Sequence, residues 1–152
     1  MTDTTFRRAR PDDLPSIIAL LADDELGVTR EVVSEPPDAR YVRAFEALER
    51  DPNQLLLVAD RGGEVAGCLQ LTIIPGLSRT GMTRGQIESV RVASRHRGGG
   101  LGRAMILHAM DECRRRGCEL VQLTTDASRL GARRFYEDLG FVPSHIGMKL
   151  SL

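Results

Sequence analysis

The chain has 152 residues, 41 % apolar and 28 % charged, the balance of a globular protein able to bury one hydrophobic core. Its 21 Lys and Arg residues cancel its 21 Asp and Glu residues, which speaks against nucleic acid as the main partner, because duplex binders carry a basic excess. No apolar run approaches the ~18 residues of a membrane span, and the opening MTDTTFRRAR lacks the apolar centre of a secretory signal.

A cytoplasmic protein is therefore expected, with no membrane association. Cys68, Cys113 and Cys118 form no C-x-x-C pair, so they read as free thiols of a reducing compartment, without a disulfide framework or zinc site. Lys149 is the only lysine. Positive charge is thus carried on arginine forks suited to carboxylates and phosphates.

Residues 4–9 alternate weakly and read as a first strand. PDDLPSIIALLAD follows as a short helix, in which Asp12 or Asp13 can accept from the orphan amides and Ile17, Ile18, Leu20 and Leu21 form an apolar side. Residues 24–38 hold Gly27, Pro36 and Pro37 without a sustained period and read as a mobile loop. Asp23, Asp24, Glu25, Glu31 and Glu35 make this region acidic, which either suits a cationic amine or marks a solvated loop. ARYVRAFEALER sets Tyr41, Phe45 and Leu48 at helical spacing. NQLLLVADRGGEVAGCLQLTII reads as a hairpin about DRGGE.

QIESVRVAS (86–94) is the next strand, yet its apolar Ile87 and Val90 stand three apart rather than two. One extra residue near Glu88 or Ser89 returns both to one face, as a β-bulge does. A helix is predicted over Leu101–Arg116, with Ile106, Met110 and Cys113 on one side and Gly117 as the stop. CELVQLTTD reads as a strand, RLGARRFYEDLG as a helix ending at Gly140, and FVPSHIGMKLSL as a closing strand. The stretch 86–125 has the length of a parallel crossover beside an antiparallel hairpin. The fold class is α/β: a mixed, mostly antiparallel central sheet with helices on both faces, in a single domain spanning 1–152.

Between the bulged strand and its helix lies RHRGGGLGRAM (95–105). A P-loop needs G-x-x-x-x-G-K-[ST], and here Arg103 and Ala104 follow the glycines. A dinucleotide fingerprint needs G-x-G-x-x-G, and no register supplies the sixth-position glycine. What fits is R-x-x-G-x-G, from Arg97, Gly98, Gly99, Gly100, Leu101 and Gly102. Glycines let successive amides turn around an anion, the helix opening at Leu101 adds its positive end, and Arg95, Arg97 and Arg103 add charge. A pyrophosphate suits this chemistry. The other reading is a flexible, solvated connection, but four glycines between well-patterned elements need a geometric reason.

The bulged strand, R-x-x-G-x-G, a helix, a strand and then A-x-x-F-Y-E-x-x-G-F (Ala132, Phe135, Tyr136, Glu137, Gly140, Phe141) resemble the GNAT superfamily of acyl-CoA-dependent N-acetyltransferases. The match covers about residues 53–142. It departs where many members carry asparagine three residues before the alanine and this chain has Arg129. The resemblance implies that the bulged strand splays from its neighbour. It implies too that Arg97, Gly98, Gly99, Gly100, Leu101, Gly102 and Arg103 hold the pyrophosphate of acetyl-CoA, while the backbone of Val90, Arg91 and Val92 pairs with its pantetheine arm.

Acetyl transfer to an amine needs a neutral amine, a stabilised thioester oxygen and a proton for the departing thiolate. The resemblance puts Tyr136 in the place of the general acid; otherwise it packs beside Phe135 against the sheet. Glu88, on the bulged strand, is the candidate general base, acting directly or through water, or else a solvated residue or a partner of Arg91. The Val90 amide is a candidate oxyanion donor. His96 adds to the positive loop, His108 is structural in mid-helix, and His145 either reaches the acceptor or sits on a surface turn. No two share a metal-ligand spacing, so no metal is expected.

The function expected is acetyl-CoA-dependent acyl transfer to a primary amine of a small molecule. The alternatives are a protein or peptide N-acetyltransferase and a non-catalytic acyl-CoA-binding regulator. A homodimer is expected through the exposed edge near the C-terminal strand.

Overall fold

The β2–β3 hairpin organises the fold. In a computed structural model describing residues 3–152, β2 (Gln54–Arg61) and β3 (Glu64–Ile74) pair antiparallel about a Gly62–Gly63 turn. Both glycines have positive φ, 65° and 90°, as a turn that matches the twist of the flanking strands requires. Met1 and Thr2, inside the expected 1–152 domain, lie outside the described residues.

β1 (Thr4–Arg8) pairs antiparallel on the far side of β2, and β4 (Arg84–Val92) on the far side of β3. β5 (Leu120–Leu123) runs parallel to β4, giving the order β1-β2-β3-β4-β5. The helices of eight residues or more are α1 (Leu14–Ala22), α2 (Ala39–Arg50), α3 (Leu101–Arg115) and α4 (Leu130–Glu137). No helix among the described residues is long and apolar enough to cross a membrane.

The strands' period of two sends side chains to two cores. On one face Leu57, Leu69, Leu71 and Ile87 pack with Met105, Ile106 and Cys113 of α3, and Phe135 and Tyr136 of α4 lean against this cluster. On the other, Val58 and Cys68 pack with Ile17 and Ile18 of α1 and Phe45 of α2. The expected mixed, mostly antiparallel sheet with helices on both faces is the one observed.

Two expectations fail. Neither Asp12 nor Asp13 caps α1 with its side chain. Asp13 turns back instead, accepting from Arg7 Nη1 (2.7 Å), Arg7 Nη2 (2.9 Å) and the Arg10 amide (2.7 Å). The Arg7 hydrogen bonds hold its carboxyl below the usual range despite burial, and Arg7 also binds Asp60 of β2 at 2.9 Å. Nor does residue 142 onward form the closing strand. Ile146, Met148 and Leu150 alternate as a strand would, yet all are at least 85 % exposed. Alternation makes a strand only where a pairing edge and an apolar surface meet it; here Gly147 comes near Thr124, just past β5, but the apolar side chains are left uncovered.

Close packing of α3 on β4 depends on Gly85, where a Cβ would stand 2.3 Å from Cys113 Sγ. Gly85→Ala is expected to cost about 1–3 kcal/mol in urea denaturation, as overpacked cores do. Adding Cys113→Ala should recover part of that loss, giving a double-mutant coupling of about 1 kcal/mol.

Candidate active site

The site begins where β4 leaves β5. The two pair from Arg84↔Leu120 to Ile87↔Leu123, with Gln122 Nε2 donating to Gln86 Oε1 at 2.7 Å, and then pairing stops. On its other side β4 stays with β3 but slips register: Gln70 faces Glu88, while Cys68 faces Arg91. One extra residue therefore sits in β4, and Ser89 takes it up with φ 54°. This is the bulge expected near Glu88 or Ser89.

Beyond the bulge the Ala93 amide bonds Ala66 O at 2.9 Å. Antiparallel alternation then turns the polar groups of Val90 and Val92 away from β3, into the gap left by β5. Val90 O accepts from Arg91 Nη1 and Val92 O from Arg97 Nε, each at 3.0 Å.

The glycine loop closes one end of the gap. Gly98 and Gly100 have φ 77° and 80°, with nothing within 4 Å of an added Cβ. Backbone conformation, more than space, selects glycine there. The first amide bonded back at the α3 terminus is Ala104, to Gly100 O at 3.0 Å. A helix start leaves the preceding amides, at Leu101, Gly102 and Arg103, to an outside acceptor. Gly102 lies under Phe135 and Val92, each 3.6 Å from its Cβ position. Thr4, Phe6, Arg61, Gly99, Gly100, Leu101 and Ala104 line a concavity of about 300 Å³ beside the loop.

The loop's cations are not arranged as expected. Arg95 and His96 both bind Glu64, and Arg97 binds Asp23 at 3.0 Å. Arg103 is exposed and, among the described residues, without an ion-pair partner. Arg97 is thus a clasp between the end of α1 and β4, and Arg103 is the cation left facing solvent beside the open amides.

At the bulge end, Arg91 Nη2 lies 3.1 Å and Arg129 Nη1 3.9 Å from Asp24 Oδ2. Asp24 Oδ1 accepts from the amides of Leu26 (3.1 Å) and Gly27 (2.5 Å). Burial pushes the Asp24 carboxyl up, but those amides and the two arginines outweigh it and hold it below the usual range. Burial also raises the Tyr136 phenol, against an opposing pull from Arg129 and Arg91. Tyr136 meets Phe135 and Phe141 edge-on, at ring-centroid distances of 5.1 and 6.0 Å. The structure therefore brings Tyr136, Arg91 and Arg129 together. Glu88 is exposed on the bulge and does not partner Arg91, whose carboxylate is Asp24.

The acidic loop is mostly spent internally. Asp23 and Asp24 face arginines, and Glu31 accepts from the Tyr41 hydroxyl. Residues 24–38 contain one short helical turn, Gly27–Thr29. His108 stacks on Phe6 at 4.9 Å, while His145 is exposed and bonded to Ser144. Sequence reasoning missed Asp24 as the hub. Its one local signal was Asp24 three residues before Gly27, the spacing of a side chain folding its own turn.

Residues 15–141 match the model of the acetyltransferase (GNAT) family. The chain belongs to this family and is an acyltransferase. It is 31 % identical over 141 residues to the aminoalkylphosphonate N-acetyltransferase of Salmonella typhimurium, covering 92 % of this chain and 86 % of that one. Identity to the glucosamine 6-phosphate N-acetyltransferase of Trypanosoma brucei brucei is 38 % over 90 residues, 59 % of each chain. Among solved structures, a transcriptional regulator from Bacillus halodurans C-125 superposes with a TM-score of 0.96 at 44 % identity, over 99 % of this chain and 100 % of the other.

Burial raises the thiols of Cys68 and Cys113 to about 12 each, and that of Cys118 to a lesser degree. A thiol protonated at neutral pH is a poor nucleophile. Ellman titration of the folded protein at pH 7.5 should leave Cys68 and Cys113 unmodified, with all three thiols reacting after denaturation.

Proposed function

We propose that residues 1–152 act as one N-acetyltransferase domain, moving an acetyl group from acetyl-CoA to the primary amine of a small molecule. The observation that carries this reading is the parting of β4 from β5 after Ile87, with the glycine loop at one end of the gap and Tyr136 of α4 packed against the same face of the sheet. Acetyl-CoA supplies an acetyl group already activated as a thioester. The glycine loop fits its pyrophosphate: positive φ at Gly98 and Gly100 makes a cradle, and the open amides of Leu101, Gly102 and Arg103 donate into it beside the Arg103 cation. Backbone groups of Val90, Arg91 and Val92 line the pantetheine arm.

Glu88 takes the proton from the amine, directly or through a water, as the amine nitrogen bonds to the acetyl carbon. The Val90 amide supports the acetyl oxygen as charge gathers on it. Tyr136 gives its phenolic proton to the departing sulfur. Its raised pKa keeps that proton in place at neutral pH, so activity should decline on the alkaline side only above the ordinary phenol range. The two curated relatives named above act on small amines, which supports a small acceptor. So does the pinning of the loop after α1 onto β4 by Asp23–Arg97 and Asp24–Arg91, which narrows the approach a peptide would need.

The Bacillus halodurans regulator supports a second reading, an acyl-CoA-binding regulator, which binds acetyl-CoA and turns over no amine. The free thiols favour a cytoplasmic setting. The alternating exposed tail favours a homodimer in which it meets the partner's sheet edge; sedimentation showing a monomer at all concentrations would refute the dimer.

The main test is free-CoA release across a panel of small amines and peptides. Tyr136→Phe should lower kcat by about 100-fold or more with KM for acetyl-CoA unchanged, and Glu88→Gln should have a similar effect. Unchanged turnover in both overturns these roles. Gly100→Asp should abolish calorimetric binding of acetyl-CoA while the circular-dichroism spectrum stays native and the melt falls by only a few degrees, as a side chain at positive φ requires. Retained affinity refutes the pyrophosphate cradle.

A further inference from the structure

Asp24 Oδ2 and the Arg91 Nε are both buried, and neither has a hydrogen-bond partner. They belong to the same cluster, yet they do not satisfy each other: Arg91 approaches Oδ2 through Nη2, at 3.1 Å and without hydrogen-bond geometry. Arg91 Nη1 is committed to Val90 O. A buried guanidinium N–H left unpaired is costly, so the arrangement is incomplete as it stands.

Arg129 completes the geometry from the other wall. It stands at the start of α4, is 44 % exposed, and reaches Asp24 only at 3.9 Å, the longest ion pair of the cluster. Asp126, three residues before it, is held low first by Ser128 and then by Arg30 and Arg129. Two guanidiniums, Arg91 and Arg129, thus face the single carboxylate of Asp24. The charge acts on Tyr136, through Arg129 and Arg91.

We propose that Arg91 and Arg129, braced by Asp24, form the subsite for an anionic group on the acceptor amine: a phosphonate, a phosphate ester or a carboxylate. The proposal rests on the acetyl-transfer reading above and names its substrate class. Arg129 offers its exposed fork to two oxygens of one oxyanion, while Arg91, whose unpaired Nε is buried behind it, adds its positive charge. Asp24 is locked by two backbone amides through Oδ1, so it stays in place while Arg129 swings to the ligand. A polycationic acceptor, by contrast, gains nothing from the two guanidiniums. Arg129 at the usual asparagine position of the motif becomes a specificity residue.

The test uses four acceptors on one ethylamine frame: 2-aminoethylphosphonate, O-phosphoethanolamine, β-alanine and ethanolamine. With wild type and acetyl-CoA, at least one anionic amine should show kcat/KM 10-fold or more above ethanolamine, and the best of the three identifies the oxyanion. Arg129→Gln should lower the preference for that amine over ethanolamine, read as the ratio of their kcat/KM values, about 10-fold, with the loss lying in KM for the anionic amine. Arg129→Lys should restore part of the loss. Equal use of charged and uncharged amines, or an equal fall for both in Arg129→Gln, overturns the subsite while acetyl transfer stands. If no amine turns over, calorimetry with 2-aminoethylphosphonate separates the two ideas. Binding that Arg129→Gln abolishes supports the subsite and refutes turnover; no binding to wild type refutes the subsite as well.

Discussion

One surplus residue in β4 underlies the whole site. A regular β4 would remain laddered to β5, and its outward amides and carbonyls would all be spent on the sheet. The insertion at Ser89 bends the strand after Ile87, keeps the β3 ladder intact by a register slip, and leaves Val90 and Val92 facing an open gap. The chain tolerates a left-handed backbone at a serine because the flanking ladders fix it on both sides. The glycine loop and the Asp24 cluster then need only be delivered to the two ends of one slot.

Arginine pairs hold that slot open. Arg97 and Arg91 reach from β4 and its following turn to Asp23 and Asp24 at the end of α1, so the first helix is fastened to the strand that carries the chemistry. The exposed Arg97–Asp23 pair adds little to global stability. The value of both pairs is positional: they decide where the loop after α1 runs, and hence the shape of the acceptor side.

Much of this was legible in the sequence. The broken alternation of Ile87 and Val90 announced the bulge, because a period of two cannot slip without an extra residue. DRGGE fixed the hairpin, and the spacing from Arg97 to Gly102 fixed the loop. Long-range ion pairing was not legible. Arg97 reads as a phosphate ligand beside three glycines, and only the fold brings Asp23 to it across 74 positions. Glu88 was the natural guess for the partner of Arg91, yet Asp24 takes that place. Residues 142–152 failed for a different reason: alternation describes a face, and a face needs something to cover it.

The carbonyls of Val90 and Val92 give the gap a particular thermodynamic character. Each is already satisfied by an arginine of the same chain. Any extended arm that pairs with these carbonyls performs an exchange, returning one guanidinium N–H to water for each bond it makes. The enthalpy of that exchange is close to balanced. Affinity along the slot must then come mainly from burying the arm, so the protein acts as its own competing ligand until a better one arrives.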